Sequence, residues 1–122
     1  GGARPGACLY APQDYVQSHP AEVQALVNAL VHALKWLQTA SPTDLARVVP
    51  PSYLLGDRAR YMAAFYKVRV SLSPDGLMPE DGPVTAVRAV TRLQPESAAA
   101  RVALDKTFSN DWVRKAKQKF QL

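Results

Sequence analysis

The stretch GACLYAPQDYVQSHPAEVQALVNALVHALKWL, residues 6–37, decides the fold class of this chain. Its apolar residues recur at steps of three and four from Val23 to Leu37, which predicts one long α-helix over Pro20–Thr39. His19 is the predicted N-cap, because proline is favoured at the first helical position that follows a cap. The residues expected in the core are Val23, Leu26, Val27, Leu30, Leu34 and Leu37. A helix this apolar should be mostly buried against more than one partner, with His32 on its thin polar stripe at the surface.

The short apolar run Ala7–Tyr10 precedes the helical part and is predicted to be a buried β-strand. Pro12 follows it and suits the first turn of a short helix that ends near Gln17. A strand needs a neighbour to satisfy its backbone groups, and no second strand is predicted in this chain. Cys8 is the only cysteine, which excludes an internal disulfide and a multi-cysteine zinc site, and it is interpreted as a small buried hydrophobe.

Four further helices are predicted after the long one, which makes about six helices and one short strand. They begin at Ser41, at Asp57, near Gly82 with Asp81 as its cap, and near Ser109 or Asn110. Their apolar residues are Leu45, Val48, Val49, Met62, Phe65, Tyr66, Val84, Val87, Val90, Leu93, Trp112, Val113, Ala116 and Phe120. The proline- and glycine-rich segment Ser71–Pro83 is predicted to be a loop with a turn at Pro74-Asp75-Gly76, whereas Pro95–Lys106 fits no single pattern.

Composition narrows the function classes. The 122 residues are 48% hydrophobic and carry a formal net charge of +5, and no apolar run is long enough to span a membrane. No glycine-rich phosphate loop, paired carboxylates or histidine–glutamate metal spacing occurs, so we expect neither an enzyme nor a bound cofactor or metal. The basic residues cluster only in the last helix, at Arg114, Lys115, Lys117 and Lys119. That cluster is interpreted as a solvated face that also favours the C-terminal end of the helix dipole.

The order of these pieces resembles one protein family. The matching stretches are Gln13-Asp14-Tyr15-Val16, His19-Pro20, Val23 to Ala29, Ser73-Pro74-Asp75-Gly76 and Asn110 to Ala116. Together they resemble the C-terminal part of the periplasmic substrate-binding proteins of ABC importers of the nitrate, sulfonate and taurine type, whose relatives include thiamine-precursor-binding proteins. Two departures are visible: His19 replaces the usual asparagine cap, and Trp112 stands where phenylalanine is common. The resemblance covers Gly6 to Phe120, and its motifs identify a fold better than they identify a ligand.

The resemblance implies a mainly α chain that forms the C-terminal part of an α/β type II periplasmic-binding-protein fold. Residues 1–122 would be one partial domain, the C-terminal segment of the first lobe, with residues 1–6 as a flexible end. The strand Ala7–Tyr10 would return the chain to that lobe, with its partner strands in preceding sequence. Cys8 and Tyr10 are then the only residues expected near the ligand cleft.

The implied function is capture of a small anion or heterocycle and its delivery to an ABC permease, by a protein that is periplasmic or lipid-anchored outside the inner membrane. Nucleic acid and membrane insertion are not expected. The alternative is a standalone helical interaction module whose basic C-terminal helix could bind nucleic acid, and an enzyme related to the pyrimidine synthases ranks last. A fragment of a lobe would leave one face of helix Pro20–Thr39 bare, so we also expect this chain to form a homodimer.

Overall fold

The computed structural model describes residues 2–97 and 101–122. Within these ranges the chain is mainly helical, as predicted, and contains six α-helices. They are α1 (Gln13–Ser18), α2 (Pro20–Thr39), α3 (Pro42–Val48), α4 (Arg58–Val68), α5 (Gly82–Leu93) and α6 (Asp111–Phe120). Single 3-10 turns occur at Pro51–Leu54, Arg69–Ser71 and Leu104–Lys106. The predicted helix starts at His19-Pro20, Ser41-Pro42 and Asp57 are confirmed.

The packing of α6 on α2 organises the fold. Val23 and Val31 on α2 are buried, and Ala116 on α6 has no exposed surface at all. Ala116 is small enough to let the two helix backbones approach closely, and that closeness excludes water from the contact. Gly76 closes the end of this contact, because a Cβ added there would lie 3.5 Å from methyl groups of both Val31 and Leu34.

Polar groups of α2 also face α6. The Gln24 side-chain amide donates to the Trp112 carbonyl at 2.9 Å and to the Asn28 side-chain oxygen at 2.9 Å. The His32 ring is exposed at its edge but stacks on the Phe120 ring, with centroids 5.0 Å apart. The polar stripe of α2 therefore borders α6, and part of its apolar surface is turned away from the core.

The loop between α4 and α5 is held down by side-chain hydrogen bonds. Gly76 has φ +82°, which a residue with a Cβ rarely adopts, and its amide donates to the Ser73 hydroxyl at 2.8 Å. The Asp75 carboxylate accepts from the Leu77 amide at 3.1 Å and from the Lys117 ammonium at 2.6 Å. The predicted turn at residues 74–76 is thus a fixed bend, and it is ion-paired to α6.

A second attachment ties the same loop to the start of α6. The Met78 amide donates to the Asn110 side-chain oxygen at 2.8 Å, and the Asn110 side-chain amide donates back to the Met78 carbonyl at 3.1 Å. Both polar atoms of the Asn110 side chain are hydrogen-bonded to the main chain of Met78. This pair of bonds is the same as the one that a residue of a neighbouring β-strand would make. Asn110 occupies the N-cap position of α6 without capping it, because its side chain is committed to Met78.

The second core cluster lies where α2 meets α3 and α4. Ala40, Leu45 and Met62 are buried together, with Leu37 and Phe65 packed against them. The entry into α3 is a full capping box: the Ser41 hydroxyl accepts from the Asp44 amide, and the Asp44 carboxylate accepts from the Ser41 amide at 2.9 Å. That backbone hydrogen bond, with a second from the Ser41 hydroxyl, lowers the pKa of Asp44.

The predicted strand at residues 7–10 is wrong for the chain in this structure. No strand is present in the described residues, and this segment is irregular and exposed, including Cys8, which was expected to be buried. The physical reason is that an isolated strand cannot pair its backbone groups, so water satisfies them instead. Three cap predictions also need correction. Pro12 is the N-cap of α1 and precedes its first turn, and His19 and Asp81 occupy the N-cap positions of α2 and α5 without a side-chain cap bond. The Asp81 carboxylate accepts instead from the Ala3 amide at 2.9 Å.

Replacing Asp75 with Asn should destabilise the chain at pH 7 by about 1 kcal/mol, because it leaves the Lys117 ammonium without its partner. Partial burial acts to raise the pKa of Asp75, but the hydrogen bonds from Lys117 and from the Leu77 amide outweigh it and hold the pKa below its ordinary value. This stabilisation is complete above the unfolded-state pKa of about 3.9 and is lost as the pH falls through the lower folded-state pKa. Urea melts of both proteins from pH 7 to pH 2 should therefore converge in acid. A difference that stays constant with pH would contradict the ion pair as its source.

Leu45 and Leu30 provide a matched pair of substitutions. Leu45 is only 2% exposed, so Leu45→Ala should cost about 2–5 kcal/mol through the cavity it leaves. Leu30 was expected in the core but is 47% exposed, so Leu30→Ala should cost less than about 1 kcal/mol. Urea unfolding of the two variants of the 122-residue chain, monitored by circular dichroism, measures both changes in the free energy of unfolding. Equal losses of unfolding free energy in the two variants would mean that the Leu30 side chain is buried.

Candidate interaction surface

The main candidate surface is the side of α2 that points away from α6, here called the outer face and made of Ala25, Leu26, Ala29, Leu30, Ala33 and Trp36. All six residues are exposed, and the three large ones are exposed by 52% for Leu26, 47% for Leu30 and 38% for Trp36. At 100° per residue, residues 26, 30 and 33 form one line along the helix, and residues 25, 29 and 36 form a second line beside it. The outer face is thus a continuous apolar surface with two large side chains in its first line and alanines between them and Trp36.

The sequence predicted that α2 has an exposed apolar face but did not identify which residues form it. The prediction that one face of α2 is bare is confirmed, but Leu26 and Leu30 were assigned to the core. A helix that is apolar around most of its circumference does not reveal from its own sequence which side its neighbour covers. Gln24, Asn28 and His32 decided the orientation, because each of them makes a specific contact within or beside the α2–α6 contact.

The predicted ligand residues, Cys8 and Tyr10, are not brought together with any other candidate feature. Both are exposed, Tyr10 by 92%, and neither lines the apolar groove or the polar cleft described below. Their role near a ligand stays a prediction that depends on a longer polypeptide.

An apolar groove of about 230 Å³ runs between α5 and the segment that precedes α6. Its principal lining residues are Pro5, Met78, Pro83, Val87, Leu104 and Phe108. No charged side chain lines it, and the one hydroxyl, that of Thr107, already donates to the Leu104 carbonyl at 2.6 Å. The groove could therefore accept an apolar group, but no side chain that lines it would bind an anion.

A polar cleft of about 550 Å³ lies at the start of α6. Three carboxylates line it, those of Glu80, Asp105 and Asp111, against a single cation, Arg114. Arg114 is already ion-paired with Asp111 at 3.1 Å. The excess of negative charge disfavours a small anion there, and no group of side chains in the described ranges could hold a metal ion.

The basic side chains of α6 are engaged locally. Lys117 is paired with Asp75 at 2.6 Å, and the Lys115 and Lys119 ammonium groups lie 5.6 and 5.8 Å from the ring centroids of Trp112 and Phe120. Ring faces attract cations electrostatically, so these lysines are oriented by their own helix. These contacts tie Lys115 and Lys119 to rings of their own helix and Lys117 to the turn at residues 74–76.

The corner between α1 and α2 holds a polar cluster that sequence reasoning missed. The Tyr15 hydroxyl donates to the Glu22 carboxylate, a contact that raises the pKa of Tyr15, and the Tyr15 and His19 rings stack with centroids 4.3 Å apart. The Ser18 hydroxyl lies 2.8 Å both from His19 Nδ1 and from the Asp14 carbonyl oxygen. These contacts fasten the end of α1 to the start of α2.

None of the described helices combines the length and the apolar character that crossing a bilayer requires.

The chain is similar to a protein of Bordetella bronchiseptica RB50 of known structure, with 45% sequence identity and a TM-score of 0.92. The alignment covers 98% of this chain but 37% of the Bordetella chain, so this chain spans well under half the length of that protein. No protein-family model and no curated protein matches the chain. At this level of identity and structural agreement, this chain has the same fold as the aligned section of a longer polypeptide.

Proposed function

We propose that this chain is part of the solute-binding component of an ABC importer, of the class that captures nitrate, sulfonates, taurine or thiamine precursors. The observation that carries the proposal is the alignment of almost the whole chain with 37% of a protein more than twice as long. A two-lobe binding protein has the length that such a relative requires. The proposal is also supported by the motifs of the resemblance, because His19-Pro20 opens α2, residues 74–76 form a fixed turn and Asn110 opens α6.

The proposal explains why these residues hold no convincing solute site. The apolar groove lacks a polar group that is free to bind, and the polar cleft carries excess negative charge. In the proposed protein the solute is held mainly by residues outside 1–122, with Cys8 and Tyr10 close to the cleft. The solute is then passed to a membrane permease, and the protein acts in the periplasm or from a lipid anchor outside the inner membrane. The proposal involves no catalysis and no cofactor.

The alternative, a nucleic-acid-binding helical module, has less support. It depends on the cations of α6, and Lys117 and Arg114 are already ion-paired with Asp75 and Asp111. Binding to phosphates through Arg114 or Lys117 would have to break one of these pairs, which leaves Lys115 and Lys119 as the cations without an ion pair. Filter binding of duplex DNA at two salt concentrations separates the two functions, since phosphate contacts weaken steeply with salt.

The solute-binding proposal predicts a difference between two proteins. The polypeptide encoded by the natural gene should bind one of nitrate, taurine, an alkyl sulfonate or a thiamine precursor with a Kd on the order of micromolar, whereas residues 1–122 should bind none of them measurably. The reason is that two lobes must close around the solute, and this chain supplies a part of one lobe. Titration calorimetry with that panel measures both proteins. Failure of the whole panel, or micromolar binding by residues 1–122 alone, would contradict the proposal.

The 122-residue chain by itself is expected to form a weak homodimer through the outer face, because apolar surface is removed from water when two copies meet. Light scattering over a dilution series should report a mass that rises with concentration. Leu30→Lys should abolish the increase, while Lys67→Ala, an exposed change on α4, should leave it unchanged. A monomer mass at every concentration would refute the homodimer.

A further inference from the structure

We infer that the outer face of α2 is an intramolecular docking surface, which in the natural polypeptide is covered by an apolar segment of the same chain that lies outside residues 1–122. The inference rests on the proposed function only in taking the natural polypeptide to be longer than this chain. It does not depend on which solute is bound or on whether one is bound.

The first step concerns what the outer face lacks. Five of its residues lie between Ala25 and Ala33, and the polar residues in that stretch, Asn28 and His32, are directed to α6 and its edge. Alanines separate the leucines from Trp36, so another backbone could approach α2 closely, with Leu26 and Leu30 as large apolar contacts on one side. No side chain of this face carries a charge, and its single hydrogen-bonding side-chain group is the indole N–H of Trp36, so covering the face desolvates little polar surface.

The second step concerns area. If a large apolar residue presents roughly 200 Å² and an alanine roughly 100 Å² when fully exposed, the six residues of the outer face together leave on the order of 400 Å² uncovered. A stable complex between separate chains buries about 800 Å² on each partner. The outer face therefore falls well short of what a tight second copy or a separate partner needs.

The third step concerns the cost of association. A segment of the same polypeptide docks without the loss of translational and rotational freedom that separate molecules suffer, so a small apolar area is enough to hold it. The Bordetella protein is long enough to contain such a segment, because 63% of its length lies outside the part that aligns with this chain. A surface too small for a stable dimer, on a chain that matches part of a longer one, fits an occupant that is covalently attached.

Thiol accessibility tests the inference. In the polypeptide encoded by the natural gene, Cys8→Ser removes the exposed native thiol, and single cysteines are then introduced as Leu30→Cys on the outer face and as Lys35→Cys on the exposed polar side of the same helix. Without solute, Leu30→Cys should react with a maleimide reagent at least about ten-fold more slowly than Lys35→Cys, because access limits the reaction. In residues 1–122 at low concentration the two thiols should react at similar rates.

Ala33→Cys is a second outer-face variant, with a smaller change in volume, and should be protected in the same way if Leu30→Cys does not fold. Equal labelling rates for the outer-face and Lys35 thiols in the natural polypeptide would overturn the inference. Protection that disappears on dilution would also overturn the inference, because it would identify a second copy as the occupant. A gene that encodes nothing beyond residues 1–122 would overturn it as well. Protection in a protein that binds none of the solutes would leave this inference standing while refuting the proposed function.

Discussion

The structure depends on the close contact between α2 and α6. Ala116 makes it possible by having only a methyl group, and Gly76, whose positive φ turns the chain beside Val31 and Leu34, closes its end. This close contact also positions three other residues of α6. The Trp112 carbonyl accepts a hydrogen bond from Gln24, the Phe120 ring stacks on His32, and Lys117 forms an ion pair with Asp75. The turn at residues 74–76, the helix end and the polar edge of α2 are therefore consequences of one contact.

The loop that precedes α5 shows how a small domain compensates for a limited core. Only six apolar residues of the described chain are buried, and none of them belongs to the segment from Ser73 to Met78, so apolar packing alone does little to hold that segment. Hydrogen bonds supply the rest, through the Asp75 carboxylate on one side and the Asn110 amide on the other. Both side chains bond to main-chain groups of the loop, which would otherwise lose their water without replacement.

Local signals made much of the fold predictable. Pro20, Pro42 and Asp57 mark helix starts by rules that involve only neighbouring residues, and Gly76 marks its turn by the positive φ that glycine tolerates. The strand at Ala7–Tyr10 could not be judged in this way, because a strand exists only with its neighbour. The orientation of α2 was equally non-local: Trp112, 88 residues from Gln24, accepts the hydrogen bond that turns the polar edge inward. The candidate site was the least predictable part, since Cys8 and Tyr10 were chosen by resemblance, whereas the outer face is defined by what α6 leaves uncovered.

The separation of 88 residues between Gln24 and Trp112 has a consequence for biosynthesis. A chain that emerges from the ribosome N-terminus first completes α2 before α6 exists, so the valines that α6 later covers are without their partner while the intervening residues are translated. A ribosome that stopped after α5 would release a helix with two bare apolar sides, and such a product is a substrate for chaperones and proteases. Only a chain translated through α6 therefore covers the inner side of α2.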